Sequence, residues 1–190
     1  NTQDKSAGSG ALTVVIDYLN HIHEQVSETI SLNGTTPVPT VGVDIFRIQS
    51  FRLGSAGIGG KAVGTISLRH LSDTPVYASI APGYTKDRDA IWTVPTGKVV
   101  YVTSVAVSGL NAGADKGVRF TLRSTSDADG IATGGFFIPH FEIALRNGAF
   151  ERTFDMPLRF SEHVDLKMSV IAEASATTCI CGLRGWMESE

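Results

Sequence analysis

Cysteine is nearly absent from this chain of 190 residues, which excludes several classes of protein. The two cysteines, Cys179 and Cys181, are separated by one residue, so in a strand both side chains would point to the same face. A disulfide between them would close a small, strained ring. The pair has neither the spacing of a C-x-x-C redox motif nor that of a zinc site. We therefore expect two free, buried thiols that pack as small apolar groups, as in proteins of a reducing compartment.

Strong net charge and long apolar runs are also missing. Lys and Arg total 16 against 19 Asp and Glu, so the formal net charge is -3 and no basic field indicates a nucleic-acid partner. No apolar run approaches the ~20 residues of a membrane-spanning helix, so no membrane partner is expected. The first ten residues, NTQDKSAGSG, are polar and glycine-rich. They predict a flexible N-terminal arm over residues 1–10, ahead of a single domain over residues 11–190.

Short runs of β-favouring residues are plentiful, and residues 89–107, DAIWTVPTGKVVYVTSVAV, are the most informative. A strand pattern runs into residues 95–97, Pro-Thr-Gly, which favour a type I turn with Gly97 at its last position. Over residues 99–107 both alternating faces are mostly apolar. The stretch predicts a strand, a tight turn and a second strand that is either packed on two sides or buried at a subunit interface.

Turn signals recur along the chain at intervals typical of antiparallel β-structure. The Asn-Gly pairs at residues 33–34 and 147–148 favour type I′ hairpins, which need positive φ at both central residues. Residues 81–84, Ala-Pro-Gly-Tyr, favour another turn. About ten or eleven short strands fit between such signals, with residues 177–187 as the last, and evidence for helix is thin. The pattern predicts a single all-β domain, either a sandwich or a barrel.

The residue patterns of common catalytic and nucleotide sites are missing. A phosphate-binding loop needs Lys followed by Ser or Thr at the start of a helix, whereas Lys61 in the glycine-rich segment 54–64 is followed by Ala62 and then by a strand pattern. Nucleophilic catalysis would need a local signature such as G-x-S-x-G, and the chain has none. We therefore expect no nucleotide cofactor and no activated nucleophile.

Two groups of residues resemble parts of metal sites. His21 and His23 would share one face of a strand and could ligate a metal, although in a polar loop such residues are more often solvated. Asp127, Asp129 and Gly130 begin like a calcium loop, but the ligand series stops after the first two acids. We predict no metal site at either place. The isolated histidines are predicted to be structural: His70, His140 and His163.

Carboxylates and aromatic rings leave two alternatives open. Glu142 and Glu151 flank the second Asn-Gly turn and could face each other across a hairpin, as a glycosidase requires, but a solvated charged face explains them equally well. Trp92 and Trp186 lie within predicted strands and are expected in the core, whereas a sugar-binding platform, which could also use Tyr84, needs exposed rings. The chain is therefore predicted not to be an enzyme and to bind no cofactor.

Three blocks of the chain place turn residues between strands in a recurring arrangement. They are residues 26–40, VSETISLNGTTPVPT, followed by Phe-Arg-Ile at 46–48; residues 91–104, IWTVPTGKVVYVTS; and residues 154–160, FDMPLRF, followed by Val-Asp-Leu at 164–166. These blocks resemble the "isETvtLNGTTpV" block, the "ytVPaGktayvts" hairpin and the "f.pPlrf.e..di" close of virion structural proteins from tailed phages, many of marine or cyanophage type. The motifs are mainly turn chemistry, so the resemblance concerns the fold family more closely than the role.

The resemblance implies a single β-sandwich of jelly-roll-like topology and a non-enzymatic role in a phage particle. The leading expectation is a capsid decoration (cement) protein, a homotrimer made in the host cytoplasm that sits on the capsid surface and binds the major capsid protein. The predicted arm and the doubly apolar strand at residues 99–107 agree with this expectation. The alternative is a tail or fibre module that binds a host-surface receptor or glycan. No catalytic, cofactor-binding or metal residues carry over from the family.

Overall fold

The computed structural model describes residues 1–88, 90–111, 116–125, 137–174 and 177–190. These ranges contain twelve strands and no helix, and every strand pairing is antiparallel, so the predicted all-β class is confirmed. No helix able to span a membrane occurs among these residues. The chain divides into two compact units, Asn1–Asp89 and Ala90–Glu190, where the sequence pattern predicted one domain over residues 11–190. Each unit has hydrophobic clusters of its own, and no change of composition marks the boundary.

The N-terminal unit contains five strands in two sheets. The strands are β1 (Ala11–Asn20), β2 (Gln25–Ser31), β3 (Ile45–Ala56), β4 (Ile66–Arg69) and β5 (Val76–Ile80). One sheet has the order β2-β1-β3 and the other pairs β4 with β5. Strand alternation places Val14, Ile16 and Ile30 on one face of the larger sheet, where they pack in a single cluster with Phe51 and with Ile80 of β5. The two sheets therefore share one core.

Residues 1–10, predicted to be a flexible arm, make fixed hydrogen bonds within the N-terminal unit. Asp4 is 2% exposed, and its carboxylate accepts hydrogen bonds from the backbone N–H groups of Ala11, Val63 and Gly64 at 2.7 to 3.0 Å. Burial raises the pKa of this carboxyl, but the hydrogen bonds to its charged form outweigh burial and hold the pKa below its ordinary value. The segment is therefore tied to the unit by a buried polar contact that composition does not reveal.

The C-terminal unit contains seven strands in two sheets. They are β6 (Ile91–Thr93), β7 (Lys98–Asn111), β8 (Val118–Thr125), β9 (Phe137–Leu145), β10 (Gly148–Phe160), β11 (Asp165–Ala172) and β12 (Thr177–Ser189). The sheets have the orders β10-β7-β12 and β6-β11-β8-β9. Val105 and Val107 of the first sheet form one cluster with Phe120, Leu122 and Phe141 of the second. Two antiparallel sheets that share a core are consistent with the expected β-sandwich; its jelly-roll-like topology stays a prediction.

Strand β7 is central in its sheet, but its apolar faces have a different cause from the one predicted. The register of β7 with both β10 and β12 skips Thr103, which marks a β-bulge. The bulge reverses the alternation, so Val100 and Val102 before it and Val105 and Val107 after it all contribute to the sandwich core. Strict alternation would have assigned these pairs to opposite faces, which is why the sequence pattern indicated a strand packed on both sides.

The predicted strand, tight turn and second strand over residues 89–107 are present, but this connection and the predicted hairpin at residues 147–148 both join strands of different sheets. Strands β6 and β7 belong to different sheets, and so do β9 and β10 on either side of residues 147–148. Between β6 and β7 the N–H of Lys98 donates to the carbonyl of Pro95 at 3.2 Å, and Gly97 has φ +67° at the third position of the turn, not the last. The hairpin prediction at residues 147–148 was wrong, because turn residues specify where a chain reverses and not which strand it then pairs with.

The other two predicted turns are present with different outcomes. At residues 33–34 the positive φ is confined to Gly34 (+66°), and the N–H of Thr36 donates to the carbonyl of Asn33 at 3.1 Å, so the turn is not type I′. At residues 81–84 the N–H of Tyr84 donates to the carbonyl of Ala81 at 3.1 Å, and Gly83 has φ +84° after proline. These are the features of a type II turn, which confirms the second prediction.

Candidate assembly surface

The outer side of strand β12, called the β12 edge here, lies at the end of a sheet, and the strand is 13 residues long. β12 ends the β10-β7-β12 sheet and pairs with β7. Among the described residues, no backbone hydrogen bond connects the other side of β12 to a neighbouring segment. An open strand presents a row of N–H and C=O groups that can pair with a strand of another chain.

Strand β10, at the opposite end of the same sheet, has features that discourage such pairing. It contains Pro157 and several charged side chains, and its register with β7 is interrupted between Thr153 and Leu158. In contrast, β12 reads TTCICGLRGWMES, with no proline or lysine, and the single irregularity in its register with β7 lies between Arg184 and Gly185. The sheet is therefore protected at one end and open at the other.

The side chains of β12 add exposed apolar surface to this open edge. Four large apolar side chains of the strand are between 40% and 62% exposed: Ile180, Leu183, Trp186 and Met187. Exposed apolar groups concentrated on one element are typical of a surface that another molecule covers, whereas single exposed ones are common on any protein. Strand β12 thus combines a position at the end of its sheet with exposed apolar side chains.

Trp186 anchors the aromatic part of this surface. Its ring stacks on Tyr101 of β7 with centroids 5.1 Å apart, and its indole N–H donates to the carboxylate of Glu188 at 2.7 Å. The residue before it, Gly185, has no space for a side chain, because a Cβ there would lie 2.1 Å from the carbonyl oxygen of Tyr101. The prediction that Trp186 lies in the core was wrong, whereas Trp92 packs against a buried cluster and that prediction is confirmed.

The two cysteines of β12 are free, as predicted, but only one is covered. Cys179 is half-buried against the sandwich core, and burial raises the pKa of its thiol. Cys181 is exposed, which contradicts the prediction of two buried thiols. Its position near an open edge, where the pattern of burial weakens along the strand, explains the difference.

The histidines considered as metal ligands have separate contacts. The Nδ1 atom of His21 lies 2.9 Å from a carboxylate oxygen of Asp44, and the ring of His23 is edge-on to Phe46 with centroids 4.4 Å apart. The other three each contact a hydroxyl at 2.7 to 2.8 Å: His70 with Ser72, His140 with Ser124, and His163 with Thr96. Partial burial lowers the pKa of His140.

The paired carboxylates do not face each other across a hairpin. Glu142 of β9 accepts a hydrogen bond from Thr121 at 3.2 Å, whereas Glu151 of β10 lies 3.3 Å from the guanidinium of Arg184. Their strands belong to different sheets, so a glycosidase arrangement finds no support in this pair. The described part of the chain contains no group of three or more metal-ligating side chains, and Asp127, Asp129 and Gly130 lie outside it.

Comparisons with known proteins identify no relative of this chain. No protein-family model, no curated protein and no solved structure matches the chain.

The sequence pattern located β12 as a strand but did not show that it is an edge. The available signal was its spacing: Ile180, Leu183, Trp186 and Met187 do not alternate as the apolar residues of a half-buried strand do.

Proposed function

We propose that the protein is a non-enzymatic structural component of a tailed-phage particle. In this proposal it is a capsid decoration protein with a jelly-roll-like sandwich, made in the host cytoplasm and mounted on the capsid surface through the major capsid protein. The three blocks that resemble virion proteins support it, and two of them, residues 26–40 and 91–104, contain turns that follow strands of the all-β chain. The observation that carries the proposal is the β12 edge.

In this proposal the β12 edge is covered when the protein assembles. In a homotrimer each copy offers one surface to the next copy and a different surface to the copy before it, and the β12 edge would supply one of these two surfaces. The exposed apolar groups of Trp186 and Leu183, on opposite faces of the strand, would flank the paired backbone in such a contact. Arg184 and Glu188 on the same strand would lie at its polar rim.

The test is the copy number of this chain in purified virions, measured by quantitative mass spectrometry against the major capsid protein. Icosahedral symmetry repeats each site on a head many times, so we expect a number on the order of hundreds. A number on the order of ten, which a tail or neck position would give, contradicts the decoration role and favours the tail or fibre module.

A further inference from the structure

The N-terminal unit contains an open cleft that the assembly role does not use. Strand β5 forms one wall, and the segment from Ala81 to Arg88 forms the other. The cleft has a volume of about 380 Å³, at the small end of the range for ligand pockets. Two tyrosines and two cations lie along it: Tyr77, Tyr84, Lys86 and Arg88.

Both tyrosine rings of the cleft are exposed. Tyr77 is 53% exposed and Tyr84 is 46% exposed. The pairing of β4 with β5 passes from Ala78 directly to Val76, so Tyr77 is the additional residue of a β-bulge, a feature that redirects a side chain. Exposed rings held by backbone geometry offer an apolar face for a ligand.

The second wall is fixed before any ligand arrives. The type II turn at residues 81–84 sets its start, and beyond it the carbonyl of Thr85 accepts a hydrogen bond from the N–H of Leu53 at 2.8 Å. The N–H of Asp87 donates to the carbonyl of Phe51 at 2.9 Å, and the side chain of Asp87 is buried. A preformed wall lowers the ordering cost of binding.

Among the described residues, no carboxylate forms an ion pair with either cation of the cleft. The guanidinium of Arg88 lies over the ring of Tyr84, 4.5 Å from its centroid. In the part of the chain that the structure describes, neither Lys86 nor Arg88 makes a hydrogen bond or an ion pair through its side chain. In a chain of net charge -3, two such cations beside an open ring favour an anionic ligand.

We propose that this cleft binds an acidic saccharide, with a sugar ring on Tyr77 and a carboxylate or sulfate group held by Lys86 and Arg88. An apolar sugar face packs on an aromatic ring, and charge-assisted hydrogen bonds hold the anionic group. Single-stranded nucleic acid is disfavoured, because it needs successive open rings and Arg88 covers a face of Tyr84. The inference goes beyond the virion role and holds wherever the protein lies on a particle.

The test is a calorimetric titration of the full chain with three tetrasaccharides: a polygalacturonate fragment, a sulfated galactan fragment and a neutral galactan fragment. The first two distinguish carboxylate from sulfate as the source of the charge. The variants are Tyr77→Ala and the double variant Lys86→Gln with Arg88→Gln. Tyr77→Leu repeats the first test with apolar bulk retained, and Lys5→Gln is the matched control, since Lys5 is an exposed cation outside the cleft.

We expect at least one acidic fragment to bind and the neutral fragment to bind about tenfold more weakly or not at all. Both Tyr77 variants should weaken the acidic fragment about tenfold, the double variant should remove the preference for charge, and Lys5→Gln should change neither. Equal binding of the neutral fragment, equal binding of inorganic sulfate alone, stronger binding of oligothymidylate, or no binding of either acidic fragment at millimolar concentration would overturn the proposal.

Discussion

The N-terminal and C-terminal units treat their strand edges differently. In the N-terminal unit β3 ends the larger sheet, and its outer side is covered by residues 85–87 through backbone hydrogen bonds to Leu53 and Phe51. In the C-terminal unit β12 also ends its sheet, but among the described residues nothing pairs with its outer side. The chain itself thus covers the β3 end of one sheet, whereas no described segment forms backbone hydrogen bonds with the β12 edge of the other.

The same difference extends to what each unit offers to other molecules. The covering segment of the N-terminal unit brings Lys86 and Arg88 beside exposed tyrosines, so the unit offers a small polar cleft. The C-terminal unit offers Trp186 and Leu183 on a strand whose outer side makes no backbone hydrogen bond to the other described residues. Our two proposals follow this contrast, with ligand binding in the N-terminal unit and assembly in the C-terminal unit.

The largest effect is expected from Phe120→Ala in the C-terminal unit. Phe120 is fully buried in the core cluster that joins the two sheets, so its removal leaves a cavity and should lower the free energy of unfolding by about 3–5 kcal/mol. Hydrogen exchange read by mass spectrometry should show faster exchange in residues 90–190 and little change in residues 1–88. Equal acceleration in both ranges would break the division into two units.

A smaller effect, confined to the other unit, is expected from Asp4→Asn. The amide keeps one carbonyl oxygen and loses the charge, so it cannot accept all three backbone hydrogen bonds, and the free energy of unfolding should fall by about 2–3 kcal/mol. Because the pKa of Asp4 is lowered in the folded state, this stability is present above the ordinary value of 3.8 and is lost as the pH falls through the lower folded value.

The control for Asp4 is Asp73→Asn, since the carboxyl side chain of Asp73 is 71% exposed and pairs with Arg69 at the surface. Hydrogen exchange in residues 1–64 should accelerate for Asp4→Asn and stay unchanged for Asp73→Asn. If the two variants behave alike, residues 1–10 form the free arm that the composition predicted.

The sequence predicts the positions of the strands in both units but not how the strands join into sheets. All twelve strands fall where β-favouring runs lie between turn residues, because strands and turns depend on neighbouring residues. Sheet membership does not depend on neighbouring residues. The assignment of β6 and β7 to separate sheets depends on contacts with β11 and β12 far along the chain. For the same reason the bulge at Thr103 and the buried contacts of Asp4 have no local signal.

The smallest effect is expected from His140→Gln. Partial burial lowers the pKa of His140 in the folded state, so the stability that its neutral form supports is present above the ordinary value of 6.5 and decreases as the pH falls below it. The free energy of unfolding of the C-terminal unit in urea, monitored by hydrogen exchange between pH 7 and pH 5, should depend less on pH in the variant than in the unmodified protein. An unchanged slope would mean that Ser124 and Phe160 do not restrict the protonation of this ring.

The most direct test of the claim that β12 is a subunit contact is the solution mass of the protein, measured by light scattering over a range of concentrations. The account predicts a mass three times the 20.2 kDa of one chain for the unmodified protein and a single-chain mass for Leu183→Lys, which places a charge on the exposed strand. Ile58→Lys, at a fully exposed apolar residue of the N-terminal unit, is the matched control and should keep the larger mass. A mass of one chain at every concentration, or a trimer that survives Leu183→Lys, would contradict the account.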